Sequence, residues 1–147
     1  MITTKSRYAL RAMVELASRY GTEPMAVEDL ADDETLSPKY LAFVMGLLKT
    51  AGFVIGRRGP GGGYTLAKDP SKITVLDIVE ALDGSGLGVP CIDTPGVCNR
   101  ESRCETKAVW HELSDSMTRT LHRFSLADLI RHTHAELHGE KGDGRDA

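Results

Sequence analysis

The stretch from residue 36 to residue 66 reads LSPKYLAFVMGLLKTAGFVIGRRGPGGGYTL. It opens with Ser37 as an N-cap and Pro38 at the first helical position, followed by apolar residues at the helical period. The period then changes to that of strands at residues 53–55 and 64–66, on either side of a glycine-rich tip. This stretch therefore predicts a helix followed by a β-hairpin.

Two further helices are predicted before this stretch. Residues 8–20 carry apolar side chains at the helical period and end at Gly21, and residues 27–33, VEDLADD, suit a short acidic helix. The second and third helices are joined by a tight turn, which makes a helix-turn-helix, and the hairpin that follows completes the winged-helix order. A helix-turn-helix alone is weak evidence for DNA binding, because it occurs in many unrelated folds.

The segments after the hairpin predict more helix. Thr74 and Asp77 form a capping-box pattern at the start of one helix, and Ser125 and Asp128 form another near the C-terminus. Between them, a helix from residue 105 carries a narrow apolar seam that needs another helix to pack on. The seam consists of Trp110, Leu113, Met117, Leu121 and Phe124.

Charge and composition limit the function classes. The formal net charge is −3, but residues 1–72 carry ten Lys and Arg against eight Asp and Glu, whereas residues 73–147 carry eight against thirteen. The chain is therefore no general polycation, and any affinity for nucleic acid has to come from the placement of its basic residues. No signal-peptide core and no membrane-spanning apolar run is present, which predicts a cytoplasmic protein without membrane partners.

The hairpin tip supplies the basic residues that favour DNA. Arg57 and Arg58 stand beside a tip whose Gly61 and Gly62 carry no side chains to obstruct close approach to a groove. Arginines in this position suit phosphate contacts and minor-groove insertion. A phosphate-binding P-loop is excluded, because no Gly-Lys-Ser/Thr follows and the glycines do not lead into a helix.

The third helix supplies candidates for base contacts. Ser37 and Lys39 at its start can reach phosphates or a guanine edge, and Lys49 lies on the same predicted exposed face. Phe43 falls on that face too, where it can pack on a thymine methyl group. The alternative, that Phe43 covers the small core of the helix-turn-helix, stays open on the sequence alone.

All three cysteines, Cys91, Cys98 and Cys104, lie in one Gly- and Pro-containing segment, for which we expect no regular structure. In a reducing compartment they are better explained as ligands or redox sensors than as a disulfide framework. Their spacing is too wide for a Cys-x-x-Cys zinc knuckle, whereas thiolates on an irregular loop suit an iron-sulfur cluster. Three incidental thiols are the simpler alternative, which their clustering disfavours.

Together these features resemble one known family. The motifs that carry the resemblance are SRYALRAMVELA, LSPKYL, RRGPGGGYTLAKDP, ITVLDIVEALDG, VWHELSD and the three cysteines. They resemble the bacterial Rrf-two family of winged-helix transcription regulators, up to about Ile130. The resemblance implies a homodimer that binds palindromic double-stranded DNA, with a long dimerisation helix after the cysteines and, in one branch, an iron-sulfur cluster on three cysteines. By position it implies a recognition helix at 37–50, which includes Tyr40, and a wing at 57–63.

Two features depart from the family pattern. One branch places a histidine ligand three residues after the last cysteine, where this chain has Lys107, a poor ligand while protonated. The missing histidine favours a 4Fe-4S cluster with a weak or exogenous fourth ligand, and a 2Fe-2S cluster stays open. Such an exposed cluster is expected to be lost from a sample handled in air. The recognition helix has Ala42 and Phe43 where one member of the family has a polar pair, so that member's DNA sequence preference does not transfer.

The sequence thus predicts a mainly α fold with a small β-hairpin. Four segments are expected: a winged helix-turn-helix at 1–83, a cysteine-bearing cluster loop at 84–104, a dimerisation helix and final short helix at 105–137, and a disordered tail at 138–147. The predicted function is a homodimeric transcription regulator whose operator binding is controlled by an iron-sulfur cluster that senses iron-sulfur status, nitric oxide or redox stress. No small-molecule substrate and no catalytic residues are expected. The alternatives are a cluster-free thiol-redox regulator and a zinc-stabilised interaction module.

Overall fold

The computed structural model describes residues 2–34, 36–86 and 88–139, with backbone only at 33, 34 and 133–139. Its elements confirm a mostly helical chain with one two-stranded antiparallel hairpin. In chain order they are α1 (Thr4–Ser18), α2 (Val27–Glu34), α3 (Pro38–Thr50), β1 (Val54–Arg57), β2 (Gly63–Leu66), α4 (Val75–Asp83), α5 (Pro90–Asp93), α6 (Lys107–Arg123) and α7 (Leu126–Gly139). The predicted tail lies outside the described residues from position 140 onward.

The helix starts follow the capping residues read from the sequence. Ser37 accepts a hydrogen bond from the backbone N–H of Tyr40 at 3.1 Å and caps α3. Thr74 and Asp77 form a full capping box at α4, with N–H to side-chain oxygen distances of 2.8 and 3.1 Å. Each bond satisfies a donor that the first helical turn leaves without a backbone partner, so local chemistry fixes where these helices begin.

The hairpin extends further toward its tip than the sequence predicts. β1 and β2 pair from Val54 opposite Leu66 to Arg57 opposite Gly63. A short backbone bridge then joins β2 to the segment before α2, where Met25 N–H donates to Tyr64 O at 3.0 Å and Tyr64 N–H donates to Met25 O at 2.8 Å. The extra pairing keeps the strands together up to Arg57.

Glycine is required at the point where β2 meets the start of α2. A Cβ atom at Gly63 would lie 2.2 Å from the carbonyl oxygen of Met25, and the residue has a φ of +146°. Both the close approach and the backbone conformation exclude a larger side chain. The wing is therefore held against the N-terminal end of α2.

The hydrophobic core lies between α1, α3, α4 and the hairpin, and it also includes the start of α7. Leu126, the first residue of α7, is fully buried, and its N–H donates to the carbonyl oxygen of Ile73 at 2.9 Å. α7 packs on α1 and is therefore a part of the winged-helix core. The fully buried large side chains are Met13, Leu30, Leu41, Met45, Leu48, Ile73, Ile78, Leu126 and Val44.

Helix α6 is much less covered. It packs on α4 and α5, yet none of its residues is buried. Trp110 is 40% exposed and Leu113 is 45% exposed, and both belong to the apolar seam predicted from the sequence. Single side chains of this kind are common on surfaces, but a row along one helix face is typical of an interface.

A buried carboxylate ties the end of α4 to the start of α1. The side chain of Asp83 is 2% exposed and accepts hydrogen bonds from Thr3 N–H at 2.9 Å and Thr3 Oγ1 at 2.6 Å. Burial opposes ionisation, but the bonds from Thr3 and Ser6, with the Lys5 ammonium 3.9 Å away, outweigh it and lower the pKa of Asp83. This contact anchors Asp83 at the end of α4, and the cysteine segment begins after it.

We predict that Asp83→Asn lowers the free energy of unfolding by about 2 kcal/mol at neutral pH, because charge-assisted hydrogen bonds are lost. The pKa of Asp83 is lower in the folded protein, so its contribution is full above the unfolded pKa and disappears as pH falls through the folded value. Urea denaturation across acidic and neutral pH measures the difference between variant and parent. Asp115→Asn, an exposed carboxylate on α6, is the control; an equal loss in both variants, or a pH-independent loss, would contradict the prediction.

Candidate nucleic-acid interface and cysteine segment

One groove brings together the hairpin tip, the end of α3 and the start of α2. We call it the wing groove; its volume is about 770 Å³. Five predicted DNA-binding residues line it, Lys49, Arg57, Arg58, Gly61 and Gly62. The other lining residues are Ala26, Val27, Glu28, Gly56, Gly59, Gly63 and Tyr64.

The cations of the wing groove are open to solvent. Arg57 ends β1, Arg58 follows it, and both side chains are exposed. Lys49 reaches across β1, where its Nζ lies 3.5 Å from the position a Cβ would take on Gly56. In the part of the chain that the structure describes, none of the three forms an ion pair. The wing groove therefore presents three positive charges that are not held in ion pairs, which suits a phosphate backbone.

At Gly59, Gly61 and Gly62 the hairpin tip offers backbone atoms alone, and the exposed Pro60 lies between them. Gly62 N–H donates to Gly59 O at 2.9 Å, and a Cβ on Gly62 would lie 2.3 Å from the carbonyl oxygen of Arg57. Gly61 has a φ of +72°, in the left-handed region. The glycines predicted as contact residues are thus also required by the turn, and they leave the tip narrow beside Arg58.

The N-terminal half of α3 forms a second exposed surface, separate from the wing groove. Ser37 and Lys39 are exposed at the helix start. Phe43 is 57% exposed, which resolves the sequence alternatives in favour of an outward side chain. Its ring lies 6.5 Å from that of Tyr40, which is half-buried and makes an edge contact with Tyr8 at 6.4 Å. The Tyr40 ring thus contacts both Tyr8 and Phe43, and it supports the outward position of the Phe43 ring.

Sequence reasoning missed Glu28 as a member of the wing groove. It is exposed, and it is the second residue of α2. The sequence showed that this helix is acidic, but it did not show that Glu28 would line the same groove as Arg57 and Arg58. That arrangement follows from the Met25–Tyr64 bridge, which joins segments about forty residues apart.

The cysteine segment has more regular structure than the sequence predicts. Cys91 lies in the single turn of α5, and a short 3-10 turn at Glu101–Arg103 precedes Cys104. The expectation of a segment without regular structure is therefore wrong. Pro90 starts α5 with a preset φ angle, and the Asp93 carboxylate accepts hydrogen bonds from the N–H groups of Gly88 and Val89, both at 3.1 Å.

The three thiols are free and half-buried. Cys104 lies just before α6, with its Sγ 3.3 Å from the hydroxyl oxygen of Thr106, the N-cap residue. Hydrogen bonds from the Thr106 hydroxyl, the Thr106 N–H and the Lys107 N–H lower the pKa of the Cys104 thiol against the effect of burial. These donors stabilise a thiolate, the form that binds metals.

Lys107 is held by Glu101. Its Nζ lies 3.6 Å from one carboxylate oxygen of Glu101, whose other oxygen accepts a hydrogen bond from Gly96 N–H at 2.7 Å. The Gly96 bond, followed by the Lys107 ammonium, lowers the pKa of Glu101 although burial opposes it. These two residues and Cys98 line a small cavity of about 320 Å³. The residue at the family's histidine position is thus engaged in an ion pair.

The described side chains contain no group of three or more His, Cys, Asp or Glu arranged to hold a metal ion. The structure thus places the predicted ligands on one segment without gathering them around a common centre. The described helices also include none that is long and apolar enough to cross a membrane.

Comparison with known proteins identifies the family. The sequence profile of the Rrf2 family, described as "Iron-dependent Transcriptional regulator", matches residues 2–132. Protein rrf2 of Nitratidesulfovibrio vulgaris is 35% identical over 130 residues, which cover 88% of this chain and 87% of that protein. The HTH-type transcriptional regulator IscR of Escherichia coli O1:K1 / APEC is 36% identical over 129 residues, with coverage of 88% and 79%.

Solved structures show the same fold. CymR (YrzC), the global cysteine regulator of B. subtilis, superimposes with a TM-score of 0.74 at 32% identity, covering 90% of this chain and 97% of that chain. T. potens IscR also superimposes with a TM-score of 0.74, at 29% identity and coverage of 99% and 93%. The chain therefore belongs to the Rrf2 family of transcriptional regulators, as the resemblance of its motifs predicted.

Proposed function

We propose that this protein is a homodimeric transcription regulator whose DNA binding is controlled by an iron-sulfur cluster on Cys91, Cys98 and Cys104. The observation that carries the proposal is the position of the three free, half-buried thiols. They lie on the segment between α4, which belongs to the winged-helix core, and α6, whose apolar seam is exposed at Trp110 and Leu113 and half-buried at its other positions in the single chain. A structural change in the cysteine segment would therefore act both on the winged-helix core and on α6.

The donor set supports an iron-sulfur cluster more than other metals. Three thiolates suit iron-sulfur clusters or zinc, and the family description names iron. When bound, such a cluster supplies reversible one-electron chemistry at the three thiolates. Thr106 and the first N–H groups of α6 favour the ionised form of Cys104, so one ligand is prepared for binding.

The chain's own contacts suggest how the segment acts on DNA binding. Asp83 holds one end of the segment to Thr3 at the start of α1, and Thr106 contacts Cys104 at the other end, where α6 begins. Gathering the three cysteines would displace the start of α6 relative to the anchored end of α4. In a dimer built on α6, that displacement changes the separation of the two recognition helices, and half-site spacing selects the DNA.

DNA would be read by two surfaces of each subunit. Phe43 with Ser37 and Lys39 form the exposed start of α3, which suits the major groove. The wing groove carries Arg57 and Arg58 beside the narrow glycine tip, which suits phosphates and the minor groove. The exposed ring of Phe43 favours a thymine methyl group as its contact.

A cluster-free thiol switch is the second candidate. It is supported by the similarity to CymR, a global cysteine regulator, and by the absence of a metal-holding group among the described side chains. In this candidate two of the three thiols lose two electrons and two protons to peroxide and form a disulfide, with peroxide reduced to water. Closing the disulfide would shorten the segment in the same place.

The wing assignment predicts a specific loss in Arg58→Ala. We expect affinity for a fluorescent DNA duplex of random sequence to fall roughly tenfold, and the slope of log affinity against log salt to decrease by about 1, because one phosphate contact is removed. Anisotropy titrations over a series of salt concentrations measure both quantities. Lys72→Ala, an exposed cation outside the wing groove, is the charge-matched control. Equal effects of the two variants would contradict the assignment.

The dimer assignment predicts that Leu113→Glu is monomeric. A carboxylate in the centre of the α6 seam would have to be desolvated at the interface, while in the single chain Leu113 is already 45% exposed and its replacement leaves the fold intact. Light scattering gives the mass, and circular dichroism checks the helix content. Glu112→Gln, an adjacent exposed position, should leave the parent's mass unchanged. A parent protein that is itself monomeric would contradict dimerisation through α6.

The cluster assignment predicts a coloured protein after purification without oxygen. We expect visible absorption with iron and sulfide bound, and loss of both in Cys98→Ala, because one of three ligands is removed. Absorption spectra with iron, sulfide and zinc analysis make the measurement. A colourless protein without iron would reject the cluster; a disulfide found by mass spectrometry after peroxide treatment would then establish the thiol switch.

A further inference from the structure

The wing groove contains one carboxylate among its cations. Glu28 lines the same groove of about 770 Å³ as Lys49, Arg57 and Arg58. Its side chain is exposed, and it forms no ion pair in the part of the chain that the structure describes. A carboxylate without a salt-bridge partner therefore stands where a phosphate group would approach the protein.

The N-terminal end of α2 also attracts anions to the wing groove. α2 begins after Ala26, whose carbonyl oxygen accepts from Leu30 N–H at 3.1 Å but whose methyl side chain cannot cap the first-turn N–H groups. The N-terminal end of a helix carries partial positive charge, which favours a nearby anion. The first turn of α2 carries two acidic residues, Glu28 and Asp29, of which Glu28 lines the wing groove. In a DNA complex a phosphate would compete for that position.

We propose that Glu28 competes with DNA phosphate for the wing groove and so sets the sequence-independent part of DNA affinity. The inference rests on the proposed function, because it requires DNA to occupy the wing groove. The bases are read by the exposed start of α3, which lies outside this groove, so Glu28 acts on phosphate contacts. The residue keeps the affinity for random DNA low while the base contacts on α3 are left unchanged.

The adjacent residue provides a matched control. Asp29 is the next residue of the same first turn, and successive helical residues project about 100° apart. Asp29 lines a different cavity, of about 480 Å³, together with Arg19, Glu23 and Asp32. Replacing Glu28 or Asp29 by its amide changes the net charge and the helix-terminal charge by the same amount. Of the two substitutions, only the one at Glu28 alters the wing groove.

The experiment compares Glu28→Gln and Asp29→Asn with the parent on a fluorescent duplex of random sequence over a series of salt concentrations. We expect Glu28→Gln to bind roughly fivefold more tightly, with a salt slope steeper by about 0.9, because one more phosphate contact becomes effective. Asp29→Asn should match the parent in both quantities. Glu28→Lys should exceed Glu28→Gln, because it adds a cation to the groove as well as removing the anion.

Two results would overturn the inference. If both amide variants gain equally, the effect is one of net charge and not of the wing groove. If Glu28→Gln binds no more tightly than the parent while Arg58→Ala still binds more weakly, DNA occupies the groove and Glu28 does not compete for it. A parent that fails to bind the duplex at any salt concentration would instead reject the DNA-binding proposal, so the two failures are distinguishable.

Discussion

The two backbone hydrogen bonds between Met25 and Tyr64 determine the geometry of the candidate DNA surface. They attach the hairpin to the segment before α2, at a distance that only glycine at position 63 permits. The buried Val54 and Leu66 hold the base of the hairpin to the core, whereas the Met25–Tyr64 bonds hold the part nearer the tip, where a two-stranded ribbon alone is marginally stable in water. With it, the tip arginines, Lys49 at the end of α3 and the start of α2 share one groove.

The cysteine segment obeys a different constraint, because it is fixed at its two ends. Asp83 anchors the end of α4 to Thr3, and the last cysteine adjoins the N-cap of α6. Between these points Asp93 and Glu101 satisfy loop N–H groups with their carboxylates. These side-chain bonds are local and exposed, so rearranging the segment costs little compared with rearranging the buried core. The part of the chain best suited to respond to a signal is therefore the part that lacks apolar burial.

The sequence predicted those structural features that residues close together in the chain determine. The N-caps Ser37 and Thr74 and the change of period at the hairpin each express chemistry within a few positions. The fold class that the family motifs predicted is confirmed by the structure. The turn of α5 was missed although Pro90 and Asp93 are close in the chain, because the glycines and prolines of the segment favoured an irregular loop. The burial of Leu126 beside Ile73 was missed because the two residues are far apart in the chain. The sequence could indicate Arg58 as a contact residue, but not the carboxylate that stands across the groove from it.

The charge of the chain shows why placement matters more than the total. A net charge of −3 repels DNA at long range, yet the wing groove collects three cations that have no described ion-pair partners. Salt screens the long-range repulsion within about 10 Å, whereas contacts within the groove act at shorter distances. A single carboxylate inside the groove therefore has more effect on phosphate binding than several on the remote acidic half. If Glu28 competes with phosphate as proposed, the balance between Glu28 and its three cationic neighbours would set the affinity for DNA that lacks the specific site.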